Sequence, residues 1–216
     1  MNHDLITMGI FPLLAASRTG VLQDPDKHGV RYVAANNGLW RAIDTAWLKA
    51  LTPVALCSKT AVIPYGQLTR SVEFFCSMPP ASLWREFAAL AKASLPNEVA
   101  AAMLWNAEHD TWRLSARHSI EANPQFVKYQ EVELQDGEHF VVDIHSHGKL
   151  PAFFSPTDSQ DDFGSIKVSA VLGCVGHGET NIRMRLMLID QHIDLKLVAS
   201  GSWEIQEKQR NLFNET

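Results

Sequence analysis

Two histidines, His145 and His147, stand one residue apart at the end of the apolar run HFVVDIHSH. In a strand, residues i and i+2 face the same way, so both imidazoles can reach one point. Neutral imidazole is a good zinc ligand. Ser155 follows after seven intervening residues, and Asp158 comes three places later in the segment SPTD. That segment also reads as a helix start without any metal: Ser155 as N-cap, Pro156 at the favoured first position, Asp158 at the third. The two readings are compatible, because a capped first turn can aim Asp158 at a metal. From composition alone, the full pattern should arise by chance in a chain this long on the order of once in a thousand.

The segment HSHGKLPAFFSPTD resembles the signature of the JAMM metalloproteases, also called the MPN or JAB domain: His-x-His, a spacer, Ser-x-x-Asp. The resemblance covers roughly residues 78 to 200 and implies a set of roles. His145, His147 and Asp158 resemble the three protein ligands of a catalytic zinc, with water in the fourth place. Glu98, in LPNEVAAAMLW, resembles the family's upstream glutamate, the general base. Ser155 resembles the residue that hydrogen-bonds the oxyanion. The implied reaction is zinc-dependent hydrolysis of a peptide or isopeptide amide, and the implied alternative is an MPN-type scaffold with little activity. Two departures bear on substrate class. Gly148 stands where many members have proline, and VAAAMLW follows Glu98 in place of a run with Gly and Cys.

The whole chain also resembles the protein A family of the PRTRC genetic systems, bacterial and often plasmid-borne clusters. Their neighbours resemble ParB, a ThiF-type activating enzyme and a ubiquitin-conjugating enzyme. That resemblance implies a protein substrate with a ubiquitin-like C-terminus.

Other titratable residues carry weaker signals. Asp143 shares the face of His145 and is either an acceptor for a histidine N–H or ordinary strand polarity. Asp161 and Asp162 read as an acidic first helical turn that favours the helix dipole, rather than as a second metal site. A purely structural zinc would need a fourth protein ligand, and Asp161 is the nearest candidate. Glu108 and Glu121 fall in turn-like segments and are poorer bases than Glu98. His109, His118, His139, His177 and His192 are scattered and read as exposed or hydrogen-bonded. The GHG at 176–178 reads as a turn.

These residues need elements to hold them. MPPASLWREFAALAKASLP predicts a helix over about 81–94, with Leu83, Phe87, Leu90 and Ala91 at helical spacing and Pro96 as the stop. After it the period changes, and strands are predicted at 98–106, 111–119, 126–134, 139–147, 167–176 and 182–190, with a short helix after Ser155. Before it, to about residue 77, the chain reads as short strands and turns. Asn36-Asn37-Gly38 marks a hairpin, and AWLKALTPVAL fits either a short helix or a strand. The expectation is an α+β fold: an MPN-like (cytidine-deaminase-like) mixed sheet flanked by helices over 78–216, with a small, mainly β region of unknown role over 1–77.

Composition narrows the partners. The chain has 216 residues, 46% hydrophobic and 20% charged, with a net charge of −5. No basic stripe suggests nucleic acid. GIFPLLAA (9–16) is too short and too broken by Pro12 for an anchor, so no membrane is expected. Cys57, Cys76 and Cys174 are odd in number and lack CxxC spacing. They read as buried small side chains in a reducing cytoplasm, not as a disulfide or zinc framework.

Overall fold

The computed structural model describes residues 3–59, 62–117, 119–123, 126–129, 132–176 and 179–206. His118, His177 and the end of the 176–178 turn lie outside the described residues, as does the side chain of Glu121. The chain forms two compact units, Met1–Cys76 and Ser77–Thr216.

The first unit starts with α1 (His3–Ile10), whose residues are all exposed. Short strands and turns alone were expected here. Five strands follow: β1 (Leu13–Ala15), β2 (Gly29–Ala35), β3 (Gly38–Asp44), β4 (Leu48–Leu56) and β5 (Ser71–Phe74). They form one sheet in chain order, with β1 parallel to β2 and the rest antiparallel. The hairpin turn falls at Asn36-Asn37, with Ala35 opposite Gly38. Asn37 also ties the turn down: its amide donates to the Leu68 carbonyl at 2.8 Å, and its Oδ1 accepts from Trp40 Nε1 at 3.1 Å. AWLKALTPVAL resolves as strand. It alternates buried and partly buried from Leu48, and a register shift beside Trp40 accommodates Pro53. Ala16, Val33, Ala35, Trp40, Ala42 and Leu68 form one cluster of this unit's core, and Ile43, Trp47, Leu48 and Ala50 are buried as well.

The second unit holds α2 (Ala81–Ser94), β6 (Ala100–Asn106), β7 (Thr111–Arg117), β8 (Ser119–Asn123), β9 (Phe126–Tyr129), β10 (Glu138–Ser146), α3 (Pro156–Asp162), β11 (Ser165–Gly173), β12 (Asn181–Ile189), β13 (Gln191–Leu197) and β14 (Trp203–Ile205). The expected α+β class and mixed sheet are what the chain adopts. α2 buries Leu83, Phe87 and Ala91 of the predicted stripe, and Trp84 beside them, while Leu90 is partly buried. Among the described residues β8 and β9 pair only with each other; residues 132–134, expected as the end of a strand, are irregular. β13 and β14 extend the sheet beyond the last predicted strand. Of the cysteines, expected to be buried, only Cys76 is; Cys57 is exposed and Cys174 partly buried.

The large sheet has the order β14-β13-β12-β11-β10-β6-β7. β10 sits near its middle, antiparallel to β6 and parallel to β11. Parallel neighbours cannot be joined by a tight turn. The chain must leave the end of β10, cross over, and return to start β11. The crossover is the site loop and α3. Its supports are buried: Ala100 to Trp105, Val141, Val142, Ile144, Val168, Ala170 and Val171 are all inside. Burial on both faces is usual for inner strands of such a sheet.

Candidate metal centre

His145 is the second-last residue of β10, between Ala100 of β6 and Val171 of β11. His147 leaves the strand but stays pinned, its N–H donating to the Leu172 carbonyl at 2.9 Å. The two Nε2 atoms are 3.1 Å apart. The capped turn brings the third group. Asp158 Oδ1 lies 3.3 Å from His145 Nε2, and Oδ2 lies 3.7 Å from His147 Nε2. Ligand atoms around a tetrahedral zinc, at bond lengths near 2.0–2.1 Å, are spaced about 3.3–3.4 Å apart. The three residues present fit such an ion. Among the described residues no fourth His, Cys, Asp or Glu joins the group. Asp161 sits exposed in the last turn of α3 and is not part of this group.

Local backbone builds this arrangement. Ser155 Oγ accepts the Asp158 N–H at 3.1 Å, and Asp158 Oδ2 accepts the Ser155 N–H at 2.7 Å, a capping box closed by aspartate. The loop before it is stitched to the start of the next connection. Leu150 N donates to the His147 carbonyl, Cys174 N to the Leu150 carbonyl, and Val175 N to the Gly148 carbonyl. Gly148 has φ +55, which proline cannot adopt. Gly173 lets the loop lie on β11: a Cβ there would sit 2.1 Å from Ala152 N.

Glu98 is exposed just before β6. The register sets His145 against Ala100, and Ser146 and Val99 continue it with two hydrogen bonds: Ser146 N to the Val99 carbonyl, and Val99 N to Ser146 Oγ. One further step brings Glu98 level with His147, which feels its charge. Sequence reasoning thus named a glutamate that the antiparallel pairing delivers to the same sheet end. Glu108 follows the opposite end of β6.

The family described as prokaryotic homologs of the JAB domain matches residues 80–187, half of the chain. The chain belongs to the prokaryotic JAB-domain homologs. Residues 1–75 match a domain of unknown function, DUF2016. No curated protein matches the chain. The solution structure of protein DSY2949 from Desulfitobacterium hafniense is similar at TM-score 0.41 and 17% identity, over 53% of this chain and 86% of that one. That likeness is too slight to argue from.

Electrostatics in the JAB domain suit cation binding. Burial lowers the His147 pKa and the charge of His145 lowers it further, outweighing Glu98, Asp158 and the Pro151 carbonyl. That direction favours the neutral ring, the form in which imidazole ligates a metal. Its Nδ1 is buried without a well-formed hydrogen bond, and the Phe153 ring meets it edge-on at 4.6 Å between centroids. Burial pushes the Asp158 carboxyl up. The hydrogen bond and charge of His145 and the two bonds from Ser155 more than offset this, holding it well below the usual carboxylate range.

Two aspartates differ from their expected surroundings. α3 begins at Pro156, so Asp161 and Asp162 lie in its last turn, not its first. The helix dipole opposes them there. Asp162, 6% exposed, is neutralised by Lys167 at 2.7 Å and Arg185 at 2.8 Å. Asp143 gives its oxygens to Arg117 and Lys167, both at 2.8 Å, and neither contact is to a histidine. These two cations outweigh burial and lower its pKa. Arg117, Asp143, Lys167, Asp162 and Arg185 thus form one alternating chain of charge. His139 packs beside Trp105, and His109 and His192 are exposed, all away from the candidate centre.

Proposed function

We propose that the JAB domain is a zinc-dependent peptidase or isopeptidase. The observation that carries this reading is the convergence of three groups: His145 Nε2 lies 3.1 Å from His147 Nε2 and 3.3 Å from Asp158 Oδ1, and His147 Nε2 lies 3.7 Å from Asp158 Oδ2. Zinc held by these three would supply a polarised water whose pKa falls toward about 7. The chain's own groups do the rest. Glu98, level with His147, takes the proton from the attacking water and returns one to the leaving amine nitrogen. Ser155 Oγ already accepts the Asp158 amide, which leaves its O–H free to donate to the oxygen of the tetrahedral intermediate. Ser155 thus serves two ends with one hydroxyl: it caps α3 and faces the substrate. The Phe153 ring keeps water from one side of His147.

The substrate we propose is a protein with a ubiquitin-like C-terminus, processed or released next to ThiF-type and conjugating-enzyme-type components in the bacterial cytoplasm. The net charge of −5 disfavours nucleic acid, and no described helix is long and apolar enough to cross a membrane. A second reading is an MPN-type scaffold. It is favoured by Glu98 itself, which is exposed and makes no hydrogen bond among the described residues. A proteome-derived peptide library, read for new termini by mass spectrometry, separates the two. Zinc-loaded wild-type protein should generate cleavages that chelator and Glu98→Gln both abolish. A library left intact by the zinc-loaded protein supports the scaffold.

A further inference from the structure

We propose that Arg185 is the positioning residue for the metal turn, acting through α3 to keep Asp158 aimed at His145 and His147. This rests on the reading of those three residues as metal ligands. Arg185 lies on β12 and is 6% exposed. Its guanidinium makes contacts with three places around Asp158. Nη2 and Nε donate to Asp162 Oδ2 at 2.8 and 3.2 Å. Nη1 donates to Ser159 Oγ at 3.3 Å. The guanidinium carbon lies 3.8 Å from the Phe154 ring centroid. Phe154 precedes the cap, Ser159 follows the ligand, and Asp162 ends the helix. One buried fork therefore grips the turn before, beside and after Asp158.

The helix needs such a grip. It has seven residues, too few to be stable alone. Its last turn carries Asp161 and Asp162 and no basic residue, so its own charges oppose the dipole. The capping box fixes the first turn only. Lys167 reaches Asp162 Oδ1 but is shared with Asp143, and as a point donor it makes no other ion pair to α3 among the described residues. Among the described residues, Arg185 alone combines the salt bridge, the hydroxyl contact and the ring contact. A ligand carboxylate is only as well placed as the groups that orient it, and losing such support typically costs 10–100-fold in metal affinity.

The test uses the full chain and cobalt(II) alone as probe, whose visible absorption reports coordination number. Wild type, Arg185→Met, Arg185→Lys, Ser159→Ala and Phe154→Leu are titrated, with circular dichroism to confirm folding and thermal melts of the metal-free proteins. Arg185→Met should bind cobalt about 10–100-fold more weakly, with fainter visible bands as Asp158 leaves the ion. Arg185→Lys should restore part of both, because the charge at Asp162 returns without the fork. Ser159→Ala and Phe154→Leu each remove one contact and strand no buried charge, so they should show smaller losses in the same direction. A folded Arg185→Met with wild-type affinity and spectrum overturns the proposal. If Arg185→Met does not fold, wild-type behaviour of both single-contact variants overturns it equally. A wild-type chain that binds no cobalt instead removes the metal reading on which the proposal stands. A merely structural role would lower the melting temperature and leave the spectrum of the folded fraction unchanged.

Discussion

Ser155 and Asp158 hold each other through two reciprocal hydrogen bonds, 3.1 Å from the Asp158 amide to the Ser155 hydroxyl and 2.7 Å from the Ser155 amide to the Asp158 carboxylate. The same carboxylate faces both histidines. A helix cap and a candidate metal ligand are thus one construction. Ser155→Ala should cost about 0.5–2 kcal/mol of stability as the cap is lost. It should also slow hydrolysis by roughly 10²–10³-fold if the hydroxyl serves the oxyanion. Denaturant melts and turnover on one cleaved peptide measure the two effects separately.

Glu98→Gln should keep the metal and lose the reaction. Gln preserves size and removes the base, so zinc content should match wild type while turnover falls by about 10²–10⁴-fold. Metal analysis paired with the peptide assay reads both. A variant that hydrolyses at the wild-type rate would take the base role away from Glu98.

Gly148 makes a backbone prediction. Its φ is +55, and the nearest atom to an added Cβ is Leu95 Cδ2 at 3.5 Å, so there is room but not conformation. Gly148→Ala should therefore destabilise by about 1–2 kcal/mol through strain alone. Gly148→Pro should do worse, because its ring fixes φ near −65°. Melting temperatures of the two variants test the order.

The charge chain beside α3 makes stability pH-dependent at both extremes. The folded pKa of Asp143 lies below its ordinary 3.8, since Lys167 and Arg117 outweigh the effect of burial. The unfolded state then binds more protons, so this stability is complete above 3.8 and is lost as pH falls through the lower folded value. For Lys167, the charges of Asp143 and Asp162 outweigh burial and raise its pKa above 10.5. Its share is complete below 10.5 and is lost as pH rises through the higher folded value. The share of stability these two groups supply should be constant between these limits, so the melting-temperature difference between wild type and Asp143→Asn should be constant there. Asp143→Asn should lower the plateau and flatten the acid limb.

How much of this was legible follows from range along the chain. α2 was readable because its apolar residues repeat at helical spacing. The turn at Asn36-Asn37 was readable because Asn-Asn-Gly stands between two apolar runs, though the positive φ falls on Gly38 and on neither asparagine. His145, His147, Ser155 and Asp158 lie within fourteen residues of one another, so local rules could bring three of them to one point. Strand β4 stayed ambiguous because a short apolar run fits either period. Asp143 could not be assigned, since its partners Arg117 and Lys167 are 26 and 24 residues away. Asp162 was misread for the same reason. Its position in α3 depends on where a seven-residue helix starts, and its neutralisation comes from β11 and β12. Glu98 needed the register of β6 against β10, which the sequence does not print. β13 and β14 are short strands whose pairing only the sheet reveals.

The central claim is that His145, His147 and Asp158 hold one metal ion. The most direct measurement is the zinc content of full-length protein purified without chelator, beside Asp158→Ala and His147→Ala. The account predicts about one equivalent in wild type, removable by chelator and restored by added zinc, and little in either variant. Less than about a tenth of an equivalent in wild type, unchanged after zinc is added, would contradict it.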